Sequence, residues 1–131
     1  MDEVPIRSGD DVVRVRQQVR TAAAANGLSL VDQTKLVTAA SELARNTLVH
    51  GGGGVARIEV LKSPNGRAGV KLHFTDEGPG ITDVGLALTD GWTSGTGLGL
   101  GLSGARRLVD EFELNSKPGS GTSVMVVKWS R

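Results

Sequence analysis

Cysteine is absent from this chain of 131 residues, and so is tyrosine. Without cysteine there is neither a disulfide framework nor a thiolate metal site, and 2 histidines make a poor basis for a zinc centre. A surplus of one charge is lacking too. Basic residues number 15 against 14 acidic, a formal net charge of +1, so nothing electrostatic favours nucleic acid or an anionic membrane as the main partner. No apolar run approaches a membrane span, since the tract Ala22 to Ala25 is short and flanked by polar residues. Residues 1–11 are acidic and lack the apolar stretch of a secretory signal. A soluble, cytoplasmic protein is the expectation. Its length suits a single domain over residues 1–131, and an apolar content of 38% suits a globular one.

What the chain does have is glycine, 19 residues of it, most of them in clusters at 51–54, 78–80, 95–104 and 119–121. Glycine spread evenly would point to a flexible linker. Clusters set between periodic segments point instead to tight turns and to backbone that approaches a ligand closely.

Apolar periodicity predicts a helix over 10–26, with Val12, Val15, Val19 and Ala22 on its inner face and Asp10 or Asp11 as its cap. A second helix is expected over 31–49, with Leu36, Ala40, Leu43 and Thr47 inward and the glycines 51–54 ending it. Alternating segments at 56–62 and 70–75, separated by Pro64-Asn65-Gly66, predict a hairpin. A third helix fits 99–110, strands fit 111–116 and 122–129, and Val4–Arg7 fits an edge strand. Residues 81–96 read as irregular, with at most a short helix near 84–88. The order predicts an α+β fold, a two-layer sandwich with a mixed, mostly antiparallel sheet covered on one face by helices.

Four segments carry chemistry. Glu42 and Asn46 lie four apart on a predicted helix, hence on one face a turn apart; one can take a proton, the other offers an amide oxygen to a hard cation. The same spacing also suits a solvated helix face. Asp76-Glu77-Gly78-Pro79-Gly80-Ile81 follows a strand and places a carboxylate beside a glycine turn, which suits an exocyclic amine as well as it suits an ordinary turn. Gly95-Thr96-Gly97-Leu98-Gly99-Leu100-Gly101-Leu102 leads into a helix, an arrangement that favours phosphate. Gly119-Ser120-Gly121-Thr122 opens the last strand. Gly99, Gly101 and Gly104 spell the dinucleotide fingerprint, but no strand precedes them and no acidic residue follows at the required distance. A P-loop sequence is also absent.

Taken in order, Glu42-x-x-x-Asn46, Asp76-x-Gly78-x-Gly80, the loop of Gly97, Gly99 and Gly101, and Gly121-Thr122 resemble the four nucleotide boxes of the GHKL (Bergerat-fold) ATPases. The runs 32–35, 41–46, 76–81 and 107–112, with Lys128-Trp129 at the end, resemble within that superfamily the small serine/threonine switch kinases of the RsbT type, and the likeness spans nearly the whole chain. The resemblance implies ATP and Mg²⁺ as ligands. It implies that Asn46 binds the metal, that Asp76 takes the adenine amine, and that Thr122 sits beside the base. Gly78, Gly80 and Ile81 would shape that pocket, residues 82–97 would form a lid, and Gly97, Leu98, Gly99, Leu100 and Gly101 would lie near the phosphates. Glu42 would be the general base. The partners implied are a STAS-domain antagonist as phosphate acceptor, a larger stress-sensing complex, and a PP2C-type phosphatase activated by the released kinase. Two other readings stay open, an anti-sigma factor kinase of the RsbW type and a non-catalytic ATP-binding interaction module. His50 reads as a helix-end residue, His73 as a face residue of a strand, and Trp129 as a core or edge anchor.

Overall fold

The computed structural model describes residues 2–80 and 101–131. The chain opens with strand β1 (Asp2–Ile6), followed by helices α1 (Gly9–Ala25) and α2 (Leu30–Val49). Strands β2 (Gly54–Lys62) and β3 (Ala68–Asp76) come next, then helix α3 (Leu102–Leu108) and strands β4 (Glu111–Ser116) and β5 (Thr122–Trp129). The sheet order is β1-β2-β3-β5-β4. The sheet expected to be mixed is antiparallel at all four pairings among the described residues. The chain passes from β3 through α3 to the far edge, and β5 then returns to fill the gap beside β3.

Strand alternation creates the core. Val4 and Ile6, Ala56 and Ile58, Val70, Leu72 and Phe74, and Val124 and Val126 all point to one face and are buried there. Val12, Val15, Val19 and Ala23 of α1 and Leu36, Ala40 and Leu43 of α2 close over that face. The opposite face carries Arg57, Lys71, His73, Glu113 and Met125 toward solvent. On it the His73 Nε2 lies 2.7 Å from the Ser123 hydroxyl.

Local chemistry explains the element ends. Ser8, not Asp10 or Asp11, occupies the cap position of α1, and its side chain makes no capping bond. Asp11 acts from inside the first turn, where its carboxylate accepts the Arg7 N–H at 2.8 Å and pairs with Arg14 at 2.6 Å. That backbone N–H, then Arg14, holds the Asp11 carboxyl below its ordinary range despite some desolvation. Ser29 caps α2 by accepting the Asp32 N–H at 3.1 Å. The third helix is shorter than the 99–110 expected. Gly101 takes a left-handed conformation (φ 66°) as its N-cap, and Val109 is already extended.

A buried ion network fastens α2 to the sheet. Lys128 is 4% exposed, yet its ammonium lies 3.3 Å from Asp110 and 3.6 Å from Asp32. Arg131 reaches the same two carboxylates at 2.7 and 3.6 Å, and Asp110 also accepts the Trp129 N–H at 2.7 Å. Trp129 is an edge anchor: its indole N–H donates to Glu111 at 2.6 Å, and the ring covers Gly69.

Candidate nucleotide site

Across the inner face, side chains line up in rows set by strand register. Val4, Ala56, Phe74, Val124 and Leu114 form one row, and the next is Ile6, Gly54, Asp76, Thr122 and Ser116. At the last row the face changes from apolar to polar. Asp76, Thr122 and Ser116 stand side by side on neighbouring strands, at the end of the sheet where α2 finishes.

Above this row is a small cleft with a cavity volume of about 40 Å³. Asp76 and Thr122 line it, with Phe74 and Val124 one row deeper. The helix side supplies Leu43, Asn46, Thr47 and His50. Gly51, Gly80 and Leu102 complete the walls. An apolar slot with a few convergent polar groups suits a flat heteroaromatic ring with an amino edge.

Asp76 is the electrostatic centre. Burial pushes its carboxyl above the ordinary carboxylate range, while the N–H groups of Gly78 and Thr122 pull it partly back. The Gly78 N–H bond to Oδ1 measures 2.9 Å. Glycines make this packing feasible. A Cβ at Gly51 would strike the Asp76 carboxyl, and one at Gly78 would lie 2.7 Å from the Gly51 Cα. Gly80 (φ 77°) and Gly121 (φ 79°) take left-handed conformations against the carbonyls of Lys117 and Asp76.

Glu42 stands on α2 one helical turn before the cleft residue Asn46. Its carboxylate is half-exposed and 3.7 Å from Arg45. The other carboxylate oxygen faces Gly101, where an added Cβ would lie 2.5 Å away. Among the described residues no group of three acidic, histidine or cysteine side chains could hold a metal ion. Asn46 lines the cleft from α2 and carries a neutral amide oxygen, the kind of donor a hard cation accepts.

Comparison with known proteins decides the lineage. The profile of the family described as histidine kinase-, DNA gyrase B-, and HSP90-like ATPase matches residues 31–130. The chain belongs to that family. Within it, the chain is 44% identical over 121 residues to the serine/threonine-protein kinase RsbT of Bacillus subtilis (strain 168), covering 92% of this chain and 90% of RsbT. It stands with the serine/threonine kinases of that type. It is also 30% identical over 95 residues to the anti-sigma F factor of Thermoanaerobacter sp. (strain X514), 70% of this chain and 66% of the relative. Among solved structures, the RsbU and RsbW domains of Rv1364c from Mycobacterium tuberculosis align with a TM-score of 0.64 at 23% identity, over 100% of this chain and 33% of that one. The mycobacterial sensor histidine kinase MprB aligns at 0.52 and 17% identity, over 99% and 97% of the two chains. At such identities these two likenesses concern the fold.

For this member of the ATPase family, the structure brings Asn46, Asp76, Gly80 and Thr122 into one cleft, packs Gly78 against Gly51 behind Asp76, and sets Glu42 against Gly101. Ile81, Gly97, Leu98, Gly99 and Leu100 lie outside the described residues, as do the expected lid and the expected helix at 84–88. Sequence reasoning missed several cleft residues. His50 is the C-cap of α2, as a helix-end residue should be, but it also lines the cleft. Gly51 falls in the glycine run expected to end the second helix, and Phe74 and Val124 fall in predicted strands with no site role expected of them. Ser116 was not singled out, because its place beside Thr122 depends on the pairing of β4 with β5.

Proposed function

We propose that the cleft between α2 and the polar row binds Mg-ATP, and that the chain transfers the γ-phosphoryl group to a serine or threonine of a partner protein. Asp76 takes the adenine amine, Thr122 lies beside the base, and Asn46 gives an amide oxygen to the Mg²⁺. When bound, that ion neutralises charge on the phosphates. Glu42 accepts the hydroxyl proton of the incoming residue as its oxygen bonds to the γ-phosphorus. The bond from that phosphorus to the bridging oxygen breaks, and ADP leaves. Gly78, Gly80 and Ile81 belong to the base pocket, and Gly97, Leu98, Gly99, Leu100 and Gly101 to the phosphate loop. Residues 1–131 act as one domain.

The observation that carries this reading is the placement of Glu42: one turn from Asn46, which lines the cleft that holds Asp76, and against Gly101, the neighbour of the cleft residue Leu102. Phosphoryl transfer asks mainly for positioning and charge neutralisation, and this arrangement offers both. The likeness to RsbT supports a STAS-domain antagonist as acceptor, within a larger stress-sensing complex, and a PP2C-type phosphatase as the partner of the released kinase. Partners of that kind support a cytoplasmic location. No described helix is long and apolar enough to cross a membrane.

The test is transfer of radiolabelled γ-phosphate to a purified STAS-domain antagonist. Glu42→Gln should lower the transfer rate by roughly 10²- to 10⁴-fold with ATP affinity nearly unchanged. Equal transfer by the variant removes Glu42 from the chemistry. The anti-sigma factor likeness supports a second reading, in which the chain also holds a sigma factor; co-purification with one would favour it.

A further inference from the structure

Ser116 is the last residue of β4 and pairs with Thr122, the first residue of β5. Its hydroxyl lies 2.9 Å from the Gly121 carbonyl oxygen and 2.9 Å from the Thr122 hydroxyl. These two contacts fix a direction. A serine hydroxyl has one proton, and a carbonyl oxygen can only accept, so the Ser116 proton goes to Gly121. Ser116 must then act as acceptor toward Thr122, and the single Thr122 proton points at Ser116. What Thr122 has left for the cleft is a lone pair.

We infer that Ser116 is a positioning residue for nucleotide selectivity: by taking the Thr122 proton, it turns the Thr122 hydroxyl into an acceptor beside the Asp76 carboxylate. The inference rests on the proposed nucleotide site and deepens it. With Asp76 and Thr122 both presenting lone pairs, the side-chain floor of the cleft favours a ligand edge that donates, as the amino group of adenine does. At position 6 a keto-purine such as hypoxanthine carries an oxygen in place of that amine, and there it meets acceptors from two side chains. Asp76 alone would leave the neighbouring hydroxyl free to rotate and donate to the keto oxygen. Ser116 removes that escape, although it touches no part of the base itself.

Gly121 serves the same arrangement. Its left-handed backbone (φ 79°) brings its carbonyl within reach of Ser116 while leaving no Cβ to strike the Asp76 carbonyl.

The experiment compares the affinities of the intact protein for ATP and ITP by isothermal titration, with Mg²⁺ present. Ser116→Ala should narrow the ATP-to-ITP preference by roughly five- to tenfold, mainly through tighter ITP binding. Ser116→Thr, which keeps the hydroxyl, should retain the wild-type ratio. Thr122→Val should narrow the ratio as well, and adding Ser116→Ala to it should change nothing more. A merely structural role for Ser116 would weaken both nucleotides alike and leave their ratio fixed; that result overturns the inference and leaves ATP binding standing. If Ser116→Ala fails to fold, the Thr122→Val ratio decides, because an unchanged value there overturns the inference equally. Wild-type protein that binds no ATP removes both this inference and the nucleotide site beneath it.

Discussion

The Glu42 carboxylate packs against Gly101, leaving no room for a side chain between the two. This joins the proposed base to the first turn of α3 and makes Gly101 more than a helix stop. Gly101→Ala would add a Cβ at 2.5 Å from the Glu42 oxygen and strain a backbone held at φ 66°. Displacing the carboxylate should slow phosphoryl transfer by roughly tenfold or more. Gly101 also belongs to the proposed phosphate loop, so ATP affinity should fall too, but by less than the transfer rate. Single-turnover transfer measured beside equilibrium binding separates the two effects, and a variant of wild-type speed would show that this contact is dispensable.

Among the described residues that line the cleft, Asn46 alone carries a side-chain amide oxygen, and it is the proposed Mg²⁺ ligand. Asn46→Ala should abolish the gain in ATP affinity that Mg²⁺ brings, while metal-free binding stays close to wild type. Titration with ATP in the presence of Mg²⁺, and again with EDTA, reads this directly. A Mg²⁺ effect of undiminished size in the variant would assign the metal to other ligands.

Acidity should weaken nucleotide binding through Asp76. Its carboxyl is raised above the ordinary value by burial, so it protonates at a higher pH than a solvated aspartate. The ionised form accepts the amine, so affinity should fall as pH drops through that raised pKa. The sign for stability is opposite. A group that binds its proton more tightly when folded favours folding most at low pH, and that contribution is lost as pH rises from the unfolded pKa through the folded one. ATP affinity measured from pH 7 downward should therefore show a midpoint above the ordinary aspartate value of 3.8. A midpoint at or below it would mean that Asp76 is more open to water than the cleft geometry requires.

Lys128 should matter to the fold and not to the chemistry. Replacing it by alanine leaves Asp32 and Asp110 without their buried cation, which typically costs about 3–5 kcal/mol. Replacement by methionine fills the space and still strands both carboxylates, so it should rescue little. Denaturant unfolding of the two variants checks this. A loss below roughly 1 kcal/mol would show that Arg131 alone satisfies the pair.

The helices and strands were legible because their apolar spacing matches the face they bury. Val12, Val15 and Val19 follow a period of 3.6, whereas Val70, Leu72 and Phe74 follow a period of 2. The strands at 111–116 and 122–129 fall where alternation and the intervening turn put them. Asp76 and Thr122 could be named from the resemblance, but not their direct pairing across β3 and β5. That contact, like the one between Ser116 and Thr122, joins residues from different strands, and local periodicity carries no information about register. The Lys128 network was hidden for a related reason. Lysine near a chain end reads as a surface charge, and only the meeting of α2, the α3–β4 junction and β5 shows it buried between two carboxylates.

The polar row that floors the cleft is part of the sheet's own pairing. Sliding β5 by one residue against β3 would bring Ser123 to Asp76 and turn Thr122 toward solvent, while Val124 and Val126 would leave the core for water. The hydrophobic interior thus acts as the alignment gauge for base recognition. A one-residue slip could not spoil that row and keep the apolar face, because both errors would come together.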